Sequence, residues 1–230
     1  MFPIHDTIRS HRFPIMTWGL IGLNTLIFLF EAQLSPQALT HFVNTWGLVP
    51  AEFSPLSPFS WLRVLISMFL HGGWLHIIGN MWFLYIFGDN VEDRMGPGRY
   101  LVFYLLGGAA AALGQVFIAP HSTTPVVGAS GAIAAVLGGY FVLYPTAKVT
   151  TLVPVFFFIT FVDIPAVLYL GFWFAMQIFS GVADLGAPMN AGVAWWAHIG
   201  GFLFGMAAVH LFTEKEPAYH RVYPDEYWPW

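Results

Sequence analysis

The stretch GASGAIAAVLGGYFVLY, Gly128 to Tyr144, decides how the whole chain is read. It holds no charged residue, opens on small residues around one serine, and stops before Pro145. Proline restricts the residue before it away from the helical region, so a helix over Ser130–Tyr144 is expected. About 15 residues at 1.5 Å each cover about 22 Å, less than a ~30 Å hydrocarbon layer. An uncharged helix of small and apolar residues belongs inside a larger apolar bundle. The rest of the sequence supplies one.

Outward from it, further apolar spans are predicted at Pro14–Ala32, Trp74–Phe87, Tyr100–Ala119, Ile164–Val182 and Gly192–Phe212. The chain of 230 residues is 57% hydrophobic and 9% charged, with mean hydropathy +0.67. Soluble domains carry about 25% charged residues, so lipid must cover much of this surface. The Asp89–Gly98 segment, with Gly96-Pro97-Gly98, is expected to end the second span and turn into the third. Leu34–Leu70 is too apolar for a solvated loop and too broken for a helix, and reads as an interfacial structure. Val149–Val162 (VTTLVPVFFFITFV) reads as an extended interfacial loop, the alternative being an overlong fifth helix. The C-terminal YPDEYWPW has the Trp and Tyr of a membrane-surface anchor.

Charge orients the spans. With the N-terminus inside, Arg9, Arg12, Arg94, Arg99, Lys148, Lys215 and Arg221 fall on the inner side and only Arg63 outside. Cytoplasmic loops are the ones enriched in Lys and Arg. The expected fold class is therefore an all-α polytopic membrane protein, a six-transmembrane-helix bundle with both termini on the cytoplasmic side. Residues 1–13 are a short N-terminal tail, 14–213 the membrane domain and 214–230 a short C-terminal tail. The start of the chain, MFPIHDTIRSHRFPIM, shows no small-residue cleavage site and reads as a tail before a retained helix.

Several functions are excluded or disfavoured. The net charge of -4 without a basic run gives nucleic acid no electrostatic footprint. The absence of cysteine removes disulfides, thiolate catalysis and cysteine-bound metals. His71 and His76 are five residues apart and no HExxH occurs, so a zinc site is disfavoured and no cofactor or metal is expected. Asp163 and Asp184, placed at opposite ends of the fifth helix, cannot form an aspartyl pair. A transporter would spread polar residues through the membrane depth. Here they cluster.

Polar side chains inside a bilayer point to function by default. On the orientation above, Ser130 opens the fourth helix from the outer side. His198 lies about six residues, roughly 9 Å, into the sixth. The second helix, short like the fourth, brings His71, His76 and Asn80 from the same side, with His76 and Asn80 on one face. A serine becomes a nucleophile when a neutral imidazole takes its proton. Gly128 and Gly131 around Ser130 allow a tight turn, and the helix N-terminus supplies free N–H groups for an oxyanion. His76 and Asn80 add side-chain donors. Ala197, Gly201 and Gly205 form a small-residue stripe that lets the sixth helix approach the fourth. Trp82, Phe172 and Trp173 read as lipid-facing or packing residues, with the second and fifth helices as a possible lateral gate.

HGGWLHIIGN at 71–80, GASG at 128–131 and AHIGG at 197–201 followed by Gly205 together resemble the rhomboid intramembrane serine proteases. The resemblance covers nearly the whole chain. It implies a six-helix core, a water-filled cavity open to the outer face, and cleavage of single-pass transmembrane substrates within the lipid bilayer. By position Ser130 resembles the nucleophile and His198 the general base. His76, Asn80 and the Ser130 backbone N–H resemble the oxyanion hole, with His71 as a supporting residue. Two positions depart from the pattern. Ala134 stands where the family often packs an aromatic on the histidine, and Trp61-Leu62-Arg63 spaces the first loop's Trp-Arg pair by one. No helix offers an obvious carboxylate for a triad, so a dyad is expected. The alternative function is a catalytically inactive relative that binds membrane clients. The expected location is a bacterial cytoplasmic membrane.

Overall fold

The computed structural model describes residues 2–155, 158–185 and 192–214 and, among them, a mostly helical chain. In order these are β1 (Phe2–Asp6), α1 (Ile15–Glu31), α2 (Pro36–Trp46), α3 (Pro58–Ser67), α4 (Trp74–Met95) and α5 (Pro97–Ile118). Then follow α6 (Ser130–Leu143), β2 (Lys148–Val155), β3 (Phe158–Pro165), α7 (Ala166–Asp184) and α8 (Trp195–Phe212). The expected C-terminal tail beyond residue 214, with Lys215, His220, Arg221 and the Trp-rich end, lies outside the described residues.

Helix α6 is the axis. All ten residues from Gly131 to Tyr140 are buried, which is why the sequence there is apolar all round rather than striped. Helices α4, α5, α7 and α8 pack around it. The approach to α8 is at backbone distance. A Cβ added to Gly201 would stand 2.1 Å from the carbonyl oxygen of Gly131, and one at Gly205 would stand 2.0 Å from that of Ala135. Outward, large apolar side chains are bare, among them Leu75, Phe117, Phe179 and Leu211. Helices α5, α7 and α8 are long and apolar enough to cross a membrane, and α1 and α6 are shorter apolar helices. An apolar exterior of this extent makes the chain an integral membrane protein.

The second helix is not short. α4 runs 22 residues to Met95, through the segment expected to form a turn. The reason is its buried carboxylate. Glu92 accepts the N–H groups of Met16 and Thr17 and the Thr17 hydroxyl at 2.7–2.8 Å, so it caps the start of α1. A carboxylate there satisfies donors that α1 cannot satisfy itself and sits at the positive end of its dipole.

Between α1 and α4 the chain does form helices, contrary to expectation. Ser35 and Ser57 cap α2 and α3, each followed by a proline at the first helical position. Buried Arg63 staples the two together. Its guanidinium donates to the carbonyls of Gly47 and Asn44 at 2.9 and 2.7 Å and pairs with Glu52.

Within Val149–Val162 the described residues, 149–155 and 158–162, are extended, but as paired strands rather than a free loop. β2 pairs antiparallel with β3 and, on its other side, with β1, giving the order β1-β2-β3. The N-terminal strand was not expected. It is held by Trp82, whose indole N–H donates to the Pro3 carbonyl at 2.7 Å, and by Asp6, which accepts from Tyr140 and from Asn90. Burial, opposed in part by the Tyr140 hydrogen bond, raises the Asp6 carboxyl from an ordinary 3.8 to about 6. Asp163 lies in β3, not in the fifth helix, and accepts the Thr150 hydroxyl at 2.7 Å.

Candidate active site

The serine is placed by its approach. Leu48 and Val126 exchange backbone hydrogen bonds at 3.1 and 2.7 Å, and the Gly128 N–H donates to the Ser67 carbonyl at 2.9 Å. The segment is thus tied to the α2–α3 region before α6 begins. Gly128 has φ +127°, open to glycine but strained for other residues, and a Cβ there would meet His76 Nε2 at 2.6 Å. Both constraints demand glycine. Ser130 follows as the first residue of α6, beside backbone N–H groups that have no intrahelical partner.

His198 lies in the first turn of α8, since that helix begins at Trp195 and not at Gly192. Its Nε2 is 2.8 Å from Ser130 Oγ. The close seats of Gly201 and Gly205 bring this turn of α8 against the start of α6, with Ala197 and Gly131 facing each other there.

The α4 residues converge on the same place. His76 Nδ1 accepts the Gly72 N–H at 3.3 Å, which leaves the proton on Nε2, beside Gly128. Among the described residues buried Asn80 Nδ2 has no partner, and it too lies near Gly128. Both side chains face a cavity of about 600 Å³ lined by His76, Asn80, Ser130, Trp173 and His198. His71 is buried beside His76 with both ring nitrogens unpartnered, and its N–H donates to Glu31; it does not line the cavity.

Two residues were missed or misread in the sequence. Gln177 on α7 is 6% exposed, and its Oε1 stands 2.8 Å from His198 Nδ1. Trp173, one turn earlier, packs its ring 5.9 Å from the His198 ring, and Trp195 packs edge-on at 6.2 Å. The aromatic contact that Ala134 does not offer comes from α7 and α8. A glutamine within an apolar helix is itself the signal that could have found it. Buried carboxylates do exist, Glu31 and Glu92, but they hold His71 and α1 rather than His198.

These features define an integral membrane protein with a serine–histidine pair beside one cavity. Comparison with known proteins gives the family. The Rhomboid domain family model matches residues 58–215, and the chain belongs to the rhomboid family. It is 31% identical over 125 residues to Rhomboid protease GluP of Bacillus subtilis, covering 54% of this chain and 24% of that one. Rhomboid-like protein 11, chloroplastic, of Arabidopsis thaliana is 30% identical over 110 residues, 48% of this chain and 39% of that one. Rhomboid-related protein 2 of mouse is 28% identical over 190 residues, 82% and 61%. The chain thus spans between a quarter and three-fifths of the length of these relatives.

Proposed function

We propose that the chain is an intramembrane serine endopeptidase that hydrolyses peptide bonds in or near transmembrane segments of single-pass proteins. The observation that carries this is the 2.8 Å contact between Ser130 Oγ and His198 Nε2, beside the His76 imidazole and the buried Asn80 amide, whose Nδ2 has no partner among the described residues. In this reading Ser130 Oγ attacks the scissile carbonyl while His198 Nε2 takes its proton. The new C–O bond forms as the carbonyl π pair moves onto oxygen. That oxyanion accepts from His76 Nε2–H, Asn80 Nδ2–H and the Ser130 backbone N–H. His198 then gives its proton to the leaving amine, the C–N bond breaks, and an acyl-serine remains. Water from the cavity, deprotonated by the same imidazole, releases the acid and restores the serine.

The same reading has six membrane crossings, α1 and α4 to α8, with residues 14–213 as the membrane domain and both termini inside. The positions of Arg9, Arg12, Arg94, Arg99 and Lys148, on segments at the end of the bundle away from Ser130, support that orientation. A bacterial cytoplasmic membrane is the proposed location.

The test uses purified protein in liposomes with a fluorogenic single-pass substrate. Cleavage by the native chain and its loss in Ser130→Ala and in His198→Ala are expected. Cleavage that persists in Ser130→Ala overturns the mechanism. A native chain that binds the substrate without cutting it is instead an inactive client-binding relative.

A further inference from the structure

We infer that Gln177 is a positioning residue for His198: its side-chain amide selects the imidazole tautomer able to act as base toward Ser130. The inference rests on the proposed protease reading and adds to its dyad a neutral third member on α7.

An amide has one accepting end and one donating end, and the orientation of this one is decided by a second bond. Gln177 Nε2 donates to the Trp173 carbonyl at 3.0 Å. A carbonyl can only accept, so the nitrogen must face Trp173 and the oxygen must face His198. Oε1 in turn can only accept, and it stands 2.8 Å from His198 Nδ1. The ring proton therefore resides on Nδ1. Nε2 is left with a lone pair, directed at Ser130 Oγ at 2.8 Å, and the serine proton lies between them. The reverse tautomer would set two acceptors, Nδ1 and Oε1, against each other at Gln177, and at Ser130 it would make Oγ an acceptor with no base for its proton. One backbone carbonyl thus fixes the direction of a chain of three hydrogen bonds.

Burial explains why the third member is neutral. Gln177 is 6% exposed in a helix apolar enough to cross a membrane, where a carboxylate would need a partner of its own. The amide fixes the tautomer without adding a charge. When His198 takes the serine proton, Nδ1–H still donates to Oε1, so the bond survives the step unchanged. Trp173 contributes twice, by its carbonyl to Gln177 and by its ring against His198. The two residues are four apart and so share one face of α7.

The experiment compares native protein, Gln177→Leu and Gln177→Glu in the same detergent. Two activities are followed: labelling of Ser130 by a small fluorophosphonate, which needs no substrate docking, and kcat and KM on the single-pass substrate. Gln177→Leu is expected to slow labelling and kcat by about 10²-fold, the lower range of what a positioned base contributes, with KM within about twofold. Gln177→Glu restores an acceptor for Nδ1. It is expected to recover most of the rate at high pH, with the acid limb of its kcat/KM profile moved upward because imidazolium now sits beside a carboxylate. Labelling of Gln177→Leu at the native rate overturns the inference and leaves the protease reading standing. So does a Gln177→Glu variant slower than Gln177→Leu at every pH, the mark of a packing role. Native protein that neither labels nor cleaves overturns the protease reading itself.

Discussion

The two ends of the helical bundle handle polar groups in opposite ways. At the end that carries the strands, three acids are each held by more than one donor from distant parts of the chain. Glu92 takes three from Met16 and Thr17, Asp93 takes the N–H groups of His11 and Arg12, and Asp6 takes Tyr140 and Asn90. At the Ser130 end, among the described residues, the buried Asn80 Nδ2 has no acceptor, the part-buried His76 ring opens on the cavity, and the serine side chain meets His198. Unmet hydrogen-bonding capacity in a buried place costs stability, so it persists where something else is served. The difference separates polar groups that build the fold from those free to meet a substrate.

That division can be broken in graded ways. The most damaging change beyond the dyad itself should be at Asn80. Asn80→Ala is expected to lower kcat by about 10²–10³, the typical loss for one oxyanion donor, with the melting temperature preserved. Equal turnover in that variant would remove Asn80 from the chemistry. Gly205→Leu should act on both properties. Its side chain has no room beside the Ala135 carbonyl, so α6 and α8 must separate. Overpacking of this kind costs about 1–3 kcal/mol or more, read from thermal unfolding, and it should also lengthen the Ser130–His198 contact and slow cleavage, by less than Asn80→Ala does.

At the other end the effects should be confined to stability. Glu92→Gln keeps the shape but removes the charge at the start of α1, and about 1 kcal/mol of stability should go with it. Turnover per folded molecule should stay native; a tenfold fall in kcat would show that the two ends are coupled. The smallest effect is the pH response of Asp6. Because its folded value is raised to about 6 from 3.8, its protonated form favours the docked strand. That contribution is full below about pH 4 and fades as pH rises through about 6. The native melting temperature should fall across that window relative to Asp6→Asn, whose own profile should be flatter.

Where residues speak locally, the sequence was readable. Pro145 and the Gly-Ala-Ser-Gly junction bracket α6 to within one residue, because breaker and cap chemistry act on neighbours. Ser130, His198, His76 and Asn80 could be picked out because polar groups are rare in apolar helices. What failed depended on partners far along the chain. The charges of Asp89–Arg94 look like a turn until Glu92 meets Thr17, 75 residues away. β1 has no meaning without β2, since a five-residue strand needs a partner 140-odd positions later. The Ser35-Pro36 and Ser57-Pro58 pairs were different. They are local helix-start signals that the apolar, proline-rich surroundings masked. Gln177 was visible by its polarity, but its purpose needed α7 and α8 side by side.

The chain order of the site has a consequence for synthesis. His76 and Asn80, the proposed oxyanion donors, come first, then Ser130, then Gln177, and His198, the proposed base, last. A ribosome that has inserted α1 to α7 has made Ser130 without His198 beside it. Gly201 and Gly205, which seat α8 on α6, follow the base within the same helix. In the proposed reading the nascent enzyme therefore stays inert among its unfolded neighbours until its final described helix docks.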